Sequence, residues 1–120
     1  MHELSIAQNI IDIVRQYLPV EGPQQVRIVK VRIGEMAGVV PDSLDFCFNA
    51  IIGSTPLEGA ALVIEHIPVV IHCMQCGKEH LLDHSAFYCQ FCDSTDVRMI
   101  SGNELQVVEI EVADEQTEAP

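Results

Sequence analysis

The chain has 120 residues, enough for one modest domain or a small domain carrying a separately stabilised module, and too few for two large domains. Eighteen acidic against six basic residues give a formal charge of −12, which repels a phosphate backbone and argues against nucleic-acid binding. No apolar run approaches the roughly 20 residues of a spanning helix. The first twenty residues, broken by Glu3, Asp12 and Arg15, lack the form of a secretory signal, so a soluble cytoplasmic protein is expected.

Leu4, Ala7, Ile10, Ile11, Val14, Tyr17 and Leu18 recur at spacings of three and four, which predicts an amphipathic helix over 3–18. Pro19 and the "EGP" at 21–23 end it. "VRIVKVRI" at 26–33 is β-branched, and its alternation changes phase between Ile28 and Val29, as in a strand covered on both faces or bulged. Its basic residues are expected at the edge of the sheet. After the loop "GEMAG" at 34–38, Pro41 suits a first helical turn, and Leu44, Cys47, Phe48 and Ile51 line one face of a second helix ending near Ile52.

Turn chemistry in "GSTPLEG" at 53–59 leads into "AALVIEHIPVVIH" at 60–72, a strand pattern that Pro68 interrupts or bends. "NELQVVEIEV" at 103–112 alternates Val108, Ile110 and Val112 with Glu109 and Glu111, a half-buried strand. The closing "ADEQTEAP" is acidic, lacks core formers and is expected to be disordered. The pattern predicts an α+β fold of two helices on a small three-stranded sheet, with an inserted zinc-ribbon-like four-cysteine module. Residues 1–68 plus 104–113 form the platform, 69–103 the module and 114–120 the acidic tail.

Four of the five cysteines form two Cys-x-x-Cys pairs, "CMQC" at 73–76 and "CQFC" at 89–92, separated by twelve residues. Each pair can fold as a tight turn that offers two sulfurs to one ion, and two facing turns complete a tetrahedral zinc cage. Cys73, Cys76, Cys89 and Cys92 are therefore the expected zinc ligands. Tetrahedral thiolate also suits iron, and two separate redox dithiols are a weaker alternative, since neither pair opens a helix after a strand. Cys47 reads as a small core residue on its helix. His66 alternates with Leu62 and Ile64 and reads as structural, while His72, His80 and His84 lie beside or between the cysteine pairs.

The amino terminus carries a second pattern. The Met1 amine and the His2 amide nitrogen close a five-membered chelate ring, and the His2 amide and its own Nδ1 close a six-membered one. Three nitrogens in sequence suit square-planar Ni(II) or Cu(II) better than tetrahedral zinc. The fourth donor stays open among the Glu3 amide in place of the imidazole arm, the Glu3 carboxylate, and a module histidine such as His80 or His84.

Together, "MHELS" at the start, "IGEMAGVVPDSLDFCF" at 33–48, "GSTPLEGAALVIE" at 53–65, the paired Cys-x-x-Cys and "GNEL" at 102–105 resemble the HypA/HybF family of hydrogenase maturation nickel metallochaperones. The resemblance covers nearly the whole chain. It implies a non-enzymatic carrier, a monomer or weak homodimer, that brings nickel to the [NiFe]-hydrogenase large-subunit precursor. Met1, His2 and Glu3 would hold nickel on the platform, and the four cysteines would hold structural zinc. The GTPase HypB is an implied partner, and urease maturation factors are implied for some members. Gln90 stands where such zinc turns often have proline, and Cys47 is an extra cysteine. The competing readings are a rubredoxin-like electron carrier and a zinc-ribbon adaptor with no transported metal.

Overall fold

A computed structural model describes residues 3–19, 25–82 and 87–113. The expected turn at 21–23, Met1, His2, His84 and the acidic tail 114–120 lie outside them. The elements in chain order are α1 (Glu3–Gln16), β1 (Val26–Gly34), α2 (Pro41–Ile51), β2 (Ala61–Ile67), β3 (Val70–Cys73), β4 (Glu79–Leu81), β5 (Val97–Ser101) and β6 (Leu105–Val112). They form two three-stranded sheets, ordered β2-β1-β6 and β4-β3-β5. The fold is α+β. By internal contacts the chain makes two compact units, Met1–Arg32 with Val39–Glu65 and Gln106–Pro120, and Ile33–Gly38 with His66–Leu105.

The first unit is organised by apolar periodicity. α1 buries Ile6, Ala7, Ile10, Ile11 and Val14, and it packs against α2, which buries Leu44 and Phe48. Leu4 and Tyr17, expected on the same stripe, are 55% and 74% exposed, one in the first turn and the other past the last residue of the helix. The apolar spacing outruns the helix at its C-terminal end and the buried stripe at its N-terminal end. α2 starts at Pro41, whose missing N–H costs nothing at a first helical position. Cys47 sits beside its buried stripe and is only half-buried.

β1 is the central strand, so its basic residues do not lie at a sheet edge as expected. They reach solvent through the sheet face: Val26, Val29, Val31 and Ile33 are buried while Arg27 and Arg32 are exposed, with the phase change at Ile28–Val29. Arg32 Nε donates to Glu65 Oε1 of β2 at 2.8 Å, and this bond, with the Arg32 and Lys30 charges, holds the Glu65 carboxyl below its ordinary range. The main-chain bonds at the ends of β1 set strand direction. Val26 donates to Pro56 and Glu35 to Ile67, as for a neighbour running parallel, whereas Gly34 donates to Glu104 and Ala113 to Gln25, as for an antiparallel one.

In the second unit, Pro68 separates β2 from β3, as its missing N–H requires. β3 is the middle strand, antiparallel to both β4 and β5, with Ile71 opposite His80 and Met99, and Cys73 opposite Val97. By internal contacts the 33–38 loop groups with this unit. A Cβ on Gly34 would stand 2.1 Å from the Gly102 carbonyl, and Met36 donates to that same carbonyl at 2.6 Å, so the loop lies backbone on backbone against Gly102.

Candidate metal centre

The two Cys-x-x-Cys segments are two matching turns. β3 delivers Cys73 as its last residue, and the Cys73 N–H donates to the Lys78 carbonyl at 2.9 Å. The Cys89 N–H donates to the Ser94 carbonyl at 2.8 Å. Each turn closes through a residue in the left-handed region, Gly77 at φ +80° and Asp93 at φ +62°, whose N–H returns to the first cysteine's carbonyl. Gly77 was legible as a turn residue; Asp93 takes the same conformation with a side chain.

The turns bring all four Sγ atoms within 4.8 Å of one another. Two approaches cross between turns, Cys73 to Cys92 and Cys76 to Cys89, each at 3.6 Å. An ion bonded to four sulfurs at about 2.3 Å places them about 3.8 Å apart, so the donor set fits a tetrahedral thiolate site. Cys73 and Cys89 are buried, and Cys76 and Cys92 are exposed.

The sulfurs differ in charge preference. The Cys76 backbone N–H, with that of Gln75, donates to the Cys73 sulfur at 3.4 Å and draws its thiol down to about 6, against the opposing effect of burial. At Cys92 a backbone hydrogen bond from Ser94 favours the thiolate, but local desolvation of the sulfur and the thiols of Cys73, Cys89 and Cys76 outweigh it and push the thiol up to about 12. Cys73 thus favours the thiolate and Cys92 the thiol. A cation removes that conflict, and its uptake must release the remaining protons.

The histidines are placed unequally. His72 Nδ1 lies 3.1 Å from Glu79 Oε2, across the β3–β4 pair, and His66 is exposed on β2. His80 has both ring nitrogens engaged: Nδ1 lies 3.0 Å from the Leu81 carbonyl, and Nε2 accepts the Gln90 N–H at 3.2 Å. Its ring meets Phe91 edge to face at 5.4 Å, and the Lys78 ammonium stands 4.6 Å from the Phe91 centroid. Phe91, Asp93 and Asp96 were missed as parts of the centre, and Gln90 was read only as a turn position, although the repeated spacing of four from Cys76 to His80 and from Cys92 to Asp96 was available in the sequence. At the other end of the chain, Glu3 Oε2 accepts the Val40 N–H at 3.1 Å, at the start of α2.

A family model described as "Hydrogenase/urease nickel incorporation, metallochaperone, hypA" matches residues 1–112. The chain belongs to the HypA family. Among HypA relatives, a hydrogenase maturation factor HypA from Desulfosudis oleivorans is 44% identical over 114 residues, spanning 93% of this chain and 98% of that one. Its namesake from Geobacter metallireducens is 42% identical over 112 residues, spanning 93% and 99%. The solution structure of the Ni metallochaperone HypA from Helicobacter pylori superposes with a TM-score of 0.67 over 96% of this chain and 100% of that one. At 23% identity that likeness speaks to the fold alone. Among the described residues no helix is long and apolar enough to cross a membrane.

Proposed function

We propose that this chain is a cytoplasmic nickel carrier that binds Ni(II) at its amino terminus and delivers it for [NiFe]-hydrogenase maturation, while Cys73, Cys76, Cys89 and Cys92 hold structural zinc. The observation that carries the reading is the HypA family match, which begins at residue 1 and so takes in Met1, His2 and Glu3 as well as both cysteine pairs. In this reading residues 1–68 plus 104–113 are the nickel-binding domain and 69–103 the zinc module.

The Met1 amine, the His2 amide and the His2 imidazole supply consecutive nitrogen donors in one plane, and Glu3 or a module histidine such as His80 or His84 completes the set. Chain-end donors exchange readily with an acceptor, whereas four thiolates in a closed cage leave no open position. The division of labour follows: the terminus trades its ion and the cage keeps one. No bond of a substrate is made or broken, and the chain acts as a carrier rather than an enzyme. Its partners in this reading are the GTPase HypB and the hydrogenase large-subunit precursor, with urease maturation factors as a further destination.

Calorimetric nickel titration of untagged protein, of the amino-acetylated form and of His2→Ala tests the reading, with zinc content measured in parallel. One nickel per chain in the native form, lost in both altered forms with one zinc retained, is expected. Unchanged nickel affinity after acetylation would sink the terminal site, and iron in place of zinc would sink the structural-zinc assignment.

A further inference from the structure

The two cysteine turns share three hydrogen bonds in the same order. The first cysteine's N–H goes to the carbonyl five residues on, at Lys78 and Ser94. The third residue's N–H points at the first sulfur, Gln75 to Cys73 at 3.4 Å and Phe91 to Cys89 at 3.3 Å. The residue after the second cysteine closes the turn, Gly77 at 3.0 Å and Asp93 at 2.8 Å. The second residue's N–H leaves its own turn, and here the halves part. Met74 donates to the backbone carbonyl of Asp96 at 2.9 Å, four residues past Cys92. Gln90 donates to the imidazole Nε2 of His80 at 3.2 Å, four residues past Cys76.

Each turn is therefore held by the position four residues beyond the other turn, once by main chain and once by a side chain. We propose that His80 is a positioning residue of the metal centre. Its imidazole does for the second turn what the Asp96 carbonyl does for the first, and it holds the turn that carries Cys89 and Cys92 in the four-sulfur cluster. The inference rests on reading the four cysteines as a zinc site.

The chemistry of the ring follows from its partners. A carbonyl has no proton to give, so Nδ1 carries the hydrogen and donates it to Leu81. Nε2 then has its lone pair free to accept from Gln90. The tautomer is fixed by the two partners, and the edge-on contact with Phe91 holds the ring plane on the residue beside Gln90. Binding a carried ion through Nε2 would cost the second turn its clasp. His80 therefore belongs to the zinc module and is withdrawn from the nickel donors.

The test compares zinc transfer to a colorimetric chelator from wild-type protein and three variants. His80→Gln places an amide oxygen near the Nε2 position and is expected to release zinc within about twofold of wild type. His80→Phe keeps a ring against Phe91 but accepts nothing, and loss of a hydrogen bond that leaves a donor unpaired predicts release about tenfold faster. Gln90→Pro removes the donor instead, so adding His80→Phe to it should change nothing further. A long-range nitrogen–proton correlation spectrum should show the Nδ1–H tautomer in wild type, and nickel stoichiometry should be unchanged in His80→Phe. Wild-type release by His80→Phe, an Nε2–H tautomer, or loss of nickel from that variant overturns the proposal. Absence of zinc from wild type overturns the zinc reading alone, and the tautomer then still decides the clasp in the metal-free chain.

Discussion

The two compact units are held by different forces. The first buries Ile6, Ile10, Ile11, Val14, Val26, Val29, Val31, Leu44, Phe48 and Leu57, an ordinary apolar core drawn from α1, β1, α2 and the turn after it. In the second, the buried apolar positions among the described residues are Ile33, Val69, Ile71, Cys73 and Cys89, two of them cysteines of the four-sulfur cluster, while Leu81, Phe91 and Ile100 are exposed. A core that small does not offset the backbone entropy of its segments and needs a staple. The lesson is that the four cysteines occupy the place a core has elsewhere, so metal and fold are one question in the second unit and separate questions in the first.

The largest break in that comparison comes from taking the ion away. Chelation of zinc, or Cys73→Ser, should remove amide-exchange protection from β3 and β5 while leaving α1 and α2 protected, since a structural zinc contributes on the order of 10 kcal/mol to a small module. Retained protection in β3 would mean that main-chain pairing suffices. The converse break is Phe48→Ala, which empties a fully buried position and should lower the stability of the first unit by about 3–5 kcal/mol in urea unfolding. Zinc content should stay at the wild-type level. A Phe48→Ala protein that also sheds zinc would show that the two units unfold together.

The sequence exposed what repeats over many residues and hid what depends on a few. The helical stripe of α1, the break at Pro68 and the doubled Cys-x-x-Cys were all legible because each is a spacing, and spacing survives projection onto one dimension. β4 and β5 were not, since segments such as Glu79–Leu81 are too short to show alternation and exist only by pairing with β3. The placement of β1 at the centre of its sheet was hidden too, because Arg27 and Arg32 look the same in sequence whether they reach water past an edge or off a face. The 33–38 loop joins the second unit through a close approach of Gly34 to Gly102, a contact between residues far apart in the chain. His80 was visible as a histidine near cysteines, and only its two hydrogen bonds distinguish a clasp from a donor.

The smallest test uses the one position where the matching turns carry different residues in the same left-handed conformation. Gly77 takes φ +80° without cost, whereas Asp93 takes φ +62° with a Cβ, in a region that disfavours L-residues although aspartate tolerates it better than most. That backbone strain acts against the second turn, so Asp93→Gly should stabilise it, by about 0.5–1 kcal/mol, and slow zinc release severalfold. Gly77→Ala should do the reverse at the first turn by a similar amount. Equal release rates for wild type and Asp93→Gly would mean that the aspartate side chain returns in interaction what it costs in backbone strain, and the two turns would then be equivalent in energy although Met74 and Gln90 are held by different acceptors.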